Sequence, residues 1–271
     1  MQLFDTHCHI QESGCADNPQ DMTQKLWAKA GSPSSNDIIA RAQASDVTGF
    51  MCVGCAYTDS VRAISTAAAH DNVWASIGIH PHEAKVHLDD PALLEKFAIL
   101  ATEPKVKAVG ECGLDYYYEN SPRQDQQKIL RFQIELALKH NLPMIFHVRD
   151  AFEDFWPIFD QYQGIRGVIH SFTATQKELD EILARDLYVG LNGIMTFTKQ
   201  EAQLAAAKAV PLDRLVLETD APFLTPAPYR GTICEPKHVR TTAEFLADLR
   251  GESLATIANA TTQNARKLFD L

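Results

Sequence analysis

Imidazoles and carboxylates gather at five places in the 271-residue sequence, each at the end of a short apolar run. The first run ends in Asp5-Thr6-His7-Cys8-His9. There the two-residue period of an extended chain turns His7 and His9 to one side and Cys8 to the other, so two imidazoles can share one ion. Later runs end in Gly110-Glu111-Cys112-Gly113-Leu114-Asp115, Phe146-His147, Ile169-His170-Ser171 and Leu217-Glu218-Thr219-Asp220. Imidazole together with carboxylate suits zinc, manganese, iron or magnesium.

Taken singly, a histidine at a strand end is more often a hydrogen-bonded structural group than a ligand, and that holds for His147 and His170. Taken together the groups point elsewhere, because Glu111 and Asp220 follow apolar runs and an unpaired buried carboxylate is rarely tolerated. A cation resolves that. The third run ends in Gly78-Ile79-His80-Pro81-His82, where Pro81 stops the strand and leaves both histidines in a loop. His80 is a candidate substrate contact or outer-sphere donor, and His82 either the same or a structural turn. His70, His87, His140 and His238 have no partners in the sequence pattern and read as solvated. Cys52-Val53-Gly54-Cys55 has the spacing of a redox pair without a thioredoxin-like context, and Cys112 reads as packing.

These residues need elements to position them. Eight short apolar runs read as strands, over residues 2–6, 49–53, 73–79, 106–110, 143–146, 167–169, 187–191 and 214–217. Helix-like stretches at 59–69, 91–102, 122–140, 176–185 and 199–207 lie between them, and 241–250 and 253–271 read as two closing helices. Within 122–140, Ile129, Phe132, Ile134, Leu136, Ala137 and Leu138 form a broad apolar stripe fit to pack on a sheet. Eight strands alternating with helices call for a single α/β domain over 1–271, a (β/α)8 TIM barrel with its function at the C-terminal strand ends. Composition agrees: 45% hydrophobic and 22% charged residues exclude disorder, and no apolar run approaches the roughly 18 residues a membrane span needs. A net charge of −10 argues against a broad basic face for nucleic acid. Six cysteines are too sparse for a disulfide scaffold, and the first ten residues lack a signal-peptide pattern, so the expected location is the cytoplasm.

The run ends just described, with Gly78-Ile79-His80-Pro81-His82, His147-Val148-Arg149-Asp150-Ala151, His170-Ser171-Phe172 and Glu218-Thr219-Asp220-Ala221-Pro222, resemble the signature blocks of the TatD-type metal-dependent deoxyribonucleases. The resemblance runs from the first strand to Asn264-Ala265. It implies a TIM barrel of the metal-dependent hydrolase superfamily with two divalent ions (zinc, manganese or magnesium). His7, His9, Glu111 and Asp220 would surround one, and Glu111, His147 and His170 the second, with Glu111 bridging. It also implies exonucleolytic phosphodiester hydrolysis of DNA. One departure is Cys234 before Glu235-Pro236, where the family usually carries Asn.

Phosphate fits such a site. Four neutral imidazoles and two carboxylates contribute −2 and two divalent ions +4, leaving about +2 within an acidic protein. Asp220 is the expected group to orient and deprotonate the attacking water, with Glu111 beside it in the catalytic set. Arg149 and Arg230 are candidate phosphate contacts, unless they pair with Asp150 or Glu235. Tyr116, with Phe172, Phe197, Phe223 and Tyr229, can stack bases or simply cap the barrel. The expected partner is DNA or another phosphodiester, with no membrane and no obligate protein partner. Rival readings are a barrel amidohydrolase or lactonase, which more often bridges its metals with a carboxylated lysine where this chain has Glu111, and a small-molecule phosphoesterase. An inert binding scaffold is the non-enzyme alternative; it would be expected to have lost at least one ligand.

Overall fold

The computed structural model describes residues 1–18 and 20–271. Eight strands, β1 (Leu3–Cys8), β2 (Val47–Val53), β3 (Val73–Ile77), β4 (Val106–Asp115), β5 (Met144–Arg149), β6 (Gly167–Ile169), β7 (Tyr188–Leu191) and β8 (Leu215–Leu217), follow one another in a single sheet in chain order. The order closes on itself. Cys8 bridges to Ala221 just past β8 in parallel fashion, and the Thr6 hydroxyl donates to the Leu217 carbonyl at 3.0 Å. Between the strands run α1 (Met22–Lys29), α2 (Ser35–Gln43), α3 (Tyr57–Ala68), α4 (Ala84–Leu88), α5 (Pro91–Leu100), α6 (Arg123–His140), α7 (Phe152–Phe159), α8 (Gln176–Ala184) and α9 (Glu201–Ala209), and α10 (Val239–Arg250) and α11 (Leu254–Leu268) follow β8. This is the (β/α)8 topology that the count of apolar runs implies.

All eight expected strands form, and three reach beyond their apolar runs: β1 to Cys8, β4 to Asp115 and β5 to Arg149. A parallel ladder is a backbone property, so it continues after the side chains turn polar; β4 and β5 stay paired through Asp115 and Arg149. Glu111 and His147 therefore sit within strands rather than past their ends. The helices α1, α2, α4 and α7 have no long apolar stripe to announce them. The second of these begins with a reciprocal cap between Ser34 and Asp37, and α7 runs through Pro157 while burying Phe155, Trp156, Ile158 and Phe159.

The chain divides into two compact units. One comprises Met1–Cys52, Ser171–Lys267 and Leu271; its core includes Leu3, Phe50, Val189 and Val216 from strands, with Leu246 of α10 and Ile257 of α11. The other comprises Val53–His170 and Leu268–Asp270. There Ile77, Val109, Ile145 and Phe146 of the sheet pack with Ile129 and Ile134 of α6, and the Phe146 ring meets Phe155 at 5.1 Å and Phe159 at 5.9 Å. The inner face of α6 also holds two buried glutamines. Gln133 clasps the backbone of Ile79, accepting from its N–H at 2.8 Å and donating to its carbonyl at 2.9 Å. Gln126 clasps Asp115 in the same way, at 2.8 and 3.1 Å. Those two clasps fix the ends of β3 and β4, where the chemistry lies.

Candidate metal centre

In the first unit, His7 and His9 leave the end of β1 with their rings 5.1 Å apart and edge to face. Asp220 lies three residues past β8, and its Oδ1 is 3.3 Å from His9 Nε2 and 3.7 Å from His7 Nε2. Its backbone N–H donates to the His7 carbonyl at 2.8 Å, so the loop after β8 is sewn to β1 at the residue that carries the imidazole. Below it, buried Asp5 accepts from the Thr219 hydroxyl at 2.6 Å and the Thr219 N–H at 2.9 Å. Burial pushes the Asp5 carboxyl well above its ordinary range even against those donors. Glu218 offers a carboxylate oxygen within 4.8 Å of a His7 ring nitrogen and also ties strand ends together, accepting from the Ser171 N–H at 2.6 Å and the Asn192 amide at 3.3 Å.

In the second unit, one oxygen of Glu111 gathers three imidazoles. Its Oε1 lies 2.8 Å from His147 Nδ1, 3.1 Å from His170 Nε2 and 3.5 Å from His80 Nε2. Burial works to raise the Glu111 carboxyl, but His170, His80 and His147 outweigh it and hold the group well below the usual carboxylate range. The other ring nitrogen of His147 faces Asp115 at 3.1 Å, and His82 reaches the same oxygen at 3.2 Å. Burial works to lower the His147 imidazole, yet Asp115 and Glu111 raise it above its ordinary value; His80 is depressed by burial. Glycine makes this crowding feasible at two points. A β carbon on Gly78 would come within 2.2 Å of the Glu111 nitrogen, and one on Gly113, whose φ is +146°, within 1.9 Å of the His147 carbonyl oxygen.

The donor sets fit divalent metals. Imidazole nitrogens and carboxylate oxygens face one another in each unit, the chemistry that zinc, manganese or magnesium takes. His80, Glu111 and His147 offer ligand atoms all within 4.8 Å of one another. The His147–Asp115 contact is the outer carboxylate that commonly fixes the tautomer of a ligating imidazole.

Other expected residues fall into place differently. Arg149 is exposed and makes no ion pair among the described residues, so pairing with Asp150 does not occur. Arg230 likewise stays away from Glu235, which binds Arg41 at 2.7 Å and Lys237 at 3.3 Å; its guanidinium lies 3.8 Å from the Phe197 ring centre and donates to the Thr225 carbonyl. Tyr116 is held down, its ring under Arg123 at 4.1 Å and its hydroxyl bonded to Asp154 and Gln127. His87 and His238 are buried rather than solvated, His87 bonded to Glu83 and Tyr57 and His238 to the Glu235 N–H. Cys8, Cys52, Cys112 and Cys234 are buried thiols. Cys234 is buried with its N–H on the Pro222 carbonyl. Sequence reasoning missed Asp115 as a site residue, although it closes the block that begins at Glu111.

A family model for TatD-related DNases matches residues 4–270. The chain belongs to the TatD family. It is 35% identical over 270 residues, 98% of each protein, to the uncharacterized metal-dependent hydrolase YabD of Bacillus subtilis. It is 31% identical over 261 residues to the 3'-5' ssDNA/RNA exonuclease TatD of Shigella flexneri, covering 93% of this chain and 97% of that one. The crystal structure of YJJV, a TatD homologue from Escherichia coli, superposes with a TM-score of 0.85 at 24% identity, over 99% of this chain and 98% of that one. As a TatD family member the protein is a metal-dependent hydrolase. No helix among the described residues is long and apolar enough to cross a membrane.

Proposed function

We propose that this TatD family hydrolase cleaves phosphodiester bonds and removes nucleotides from single-stranded DNA ends. The observation that carries the reading is the pair of metal-type donor sets, His7, His9 and Asp220 in one unit and Glu111, His147 and His170 in the other, each gathered on one carboxylate oxygen. The TatD exonuclease of Shigella flexneri supports the choice of substrate. Two divalent ions, of zinc, manganese or magnesium, would make these sets cationic overall, polarise a phosphoryl oxygen and bring the pKa of a water toward neutrality. Asp220, whose Oδ1 faces His7 and His9, accepts the proton of the attacking water. Arg149 and Arg230, neither paired with a carboxylate among the described residues, bind non-bridging phosphate oxygens, where a planar guanidinium matches the geometry. Glu111 stays anionic because three imidazoles favour its charged form.

The test is hydrolysis of labelled single-stranded DNA, of a chromogenic phosphodiester and of a lactone by protein of measured metal content, before and after chelation. We expect metal-dependent shortening of the oligonucleotide from one end and no lactone opening. Lactone hydrolysis alone would replace this reading with the amidohydrolase or lactonase alternative, and turnover of the chromogenic ester alone with a small-molecule phosphoesterase.

A further inference from the structure

Directly after β4 the chain presents three consecutive tyrosines, and the structure separates them. Tyr116 is engaged as described, whereas Tyr117 and Tyr118 are 58% and 55% exposed. Their rings meet edge to face with centres 4.7 Å apart. Arg149, at the end of neighbouring β5, lies across both, its guanidinium carbon 4.1 Å from the centre of Tyr117 and 4.8 Å from that of Tyr118. The turn that lifts these rings is not loose. One oxygen of Asp115, itself 1% exposed, accepts the N–H groups of both Tyr117 and Tyr118 at 3.0 Å, while its other oxygen holds His147 and His82. The Tyr118 ring also meets the edge of His82 at 5.7 Å. A single buried carboxylate therefore orients both a candidate metal ligand and the two exposed aromatic faces.

Aromatic rings gain most by leaving water, and this arrangement keeps two of them in it on a hydrogen-bonded turn, beside a cation with no carboxylate partner among the described residues. Flat π faces with an adjacent guanidinium match a nucleobase followed by its phosphate: stacking on aromatic rings tolerates any base, and the cation takes the backbone charge. A base paired within a duplex has both faces occupied, so only an unpaired strand fits. We propose that Tyr117, Tyr118 and Arg149 form a stacking platform that grips the bases of a single-stranded substrate next to the Glu111, His147 and His170 set. The platform rests on the phosphodiesterase reading and specifies how that substrate is held. Tyr117 and Tyr118 are positioning and specificity residues, not catalytic ones. Tyr116, the ring expected to stack, serves instead as a buttress under Arg123.

The experiment compares two oligonucleotides of the same length, one intact and one abasic over its terminal nucleotides, with the parent, with the double variant Tyr117→Leu/Tyr118→Leu, and with Tyr117→Phe/Tyr118→Phe. For the intact strand the Leu variant is expected to raise KM by roughly 5- to 100-fold with kcat little changed, the range that loss of aromatic stacking gives, and the Phe variant to restore it. For the abasic strand the parent already shows the raised KM, so the gap between parent and Leu variant closes. Equal losses on both strands, or no loss on the intact one, would overturn the platform. Fluorescence-anisotropy binding of the same strands separates the two readings. Binding that depends on the tyrosines without any hydrolysis overturns the phosphodiesterase reading and leaves the platform; hydrolysis with no dependence on the tyrosines does the reverse.

Discussion

Asp220 adopts a backbone φ of +61°, in the left-handed region that most side chains avoid and aspartate enters more readily than most. That conformation turns its N–H onto the His7 carbonyl while its carboxylate faces His7 and His9. The same residue thus locks the loop and presents the carboxylate proposed as the base. Asp220→Asn keeps the shape and one oxygen but removes the basic site, and general-base assistance is worth about 10²–10⁴-fold. We expect a folded variant whose kcat falls by that order at saturating metal; near-parental turnover would move the role to another group, His80 first. The grouping of His7 and His9 with Asp220, and of Glu111 with His147 and His170, was legible in the sequence because imidazoles and carboxylates recur at run ends with strand spacing. Asp115 was not, since nothing in a linear sequence distinguishes a carboxylate that binds an ion from one that steadies the ligand. The three tyrosines were equally opaque: adjacency along the chain says nothing about which ring folds down.

At the scale of elements, α6 does more than cover the sheet. Its apolar stripe was readable from periodicity, but Gln126 and Gln133 on the same face look like ordinary polar positions of an amphipathic helix until the backbone they clasp is known. The strand ends could be located only to within several residues for a related reason: hydrogen-bonded ladders carry on where hydrophobicity stops. Gln133→Leu conserves volume approximately while leaving the Ile79 N–H and carbonyl without their partner in the protein interior. Stranding buried polar groups costs about 1–3 kcal/mol each. A loss of unfolding free energy of that order, read as a lower denaturation midpoint, is expected, with weaker activity through displaced His80. An unchanged midpoint in a denaturant titration would show that the clasp contributes nothing.

For the molecule as a whole, the count of apolar runs was enough to reach the eight-strand order, but not the way the chain is shared between its two units. Residues 53–170 form a nearly contiguous unit, whereas the other joins Met1–Cys52 to Ser171–Lys267. Its joints span most of the chain: Thr6 to Leu217, Thr219 to Asp5 and Thr262 to Gln2. Contacts so distant in sequence close late, because loop-closure entropy must be met first. In pulse-labelled hydrogen exchange during refolding, amides of β4, β5 and α6 are expected to gain protection before those of β1 and β8; simultaneous protection would remove the asymmetry. On the ribosome the delay is built in. At about 5–20 residues per second, His7 in β1 and His9 just past it wait on the order of ten seconds after emerging before Asp220 is even synthesised. Before that interval ends, the Glu111, His147 and His170 set has been synthesised as one continuous stretch of chain and can assemble. The nascent protein therefore acquires its two candidate donor sets in sequence, the middle of the chain first and its joined ends last.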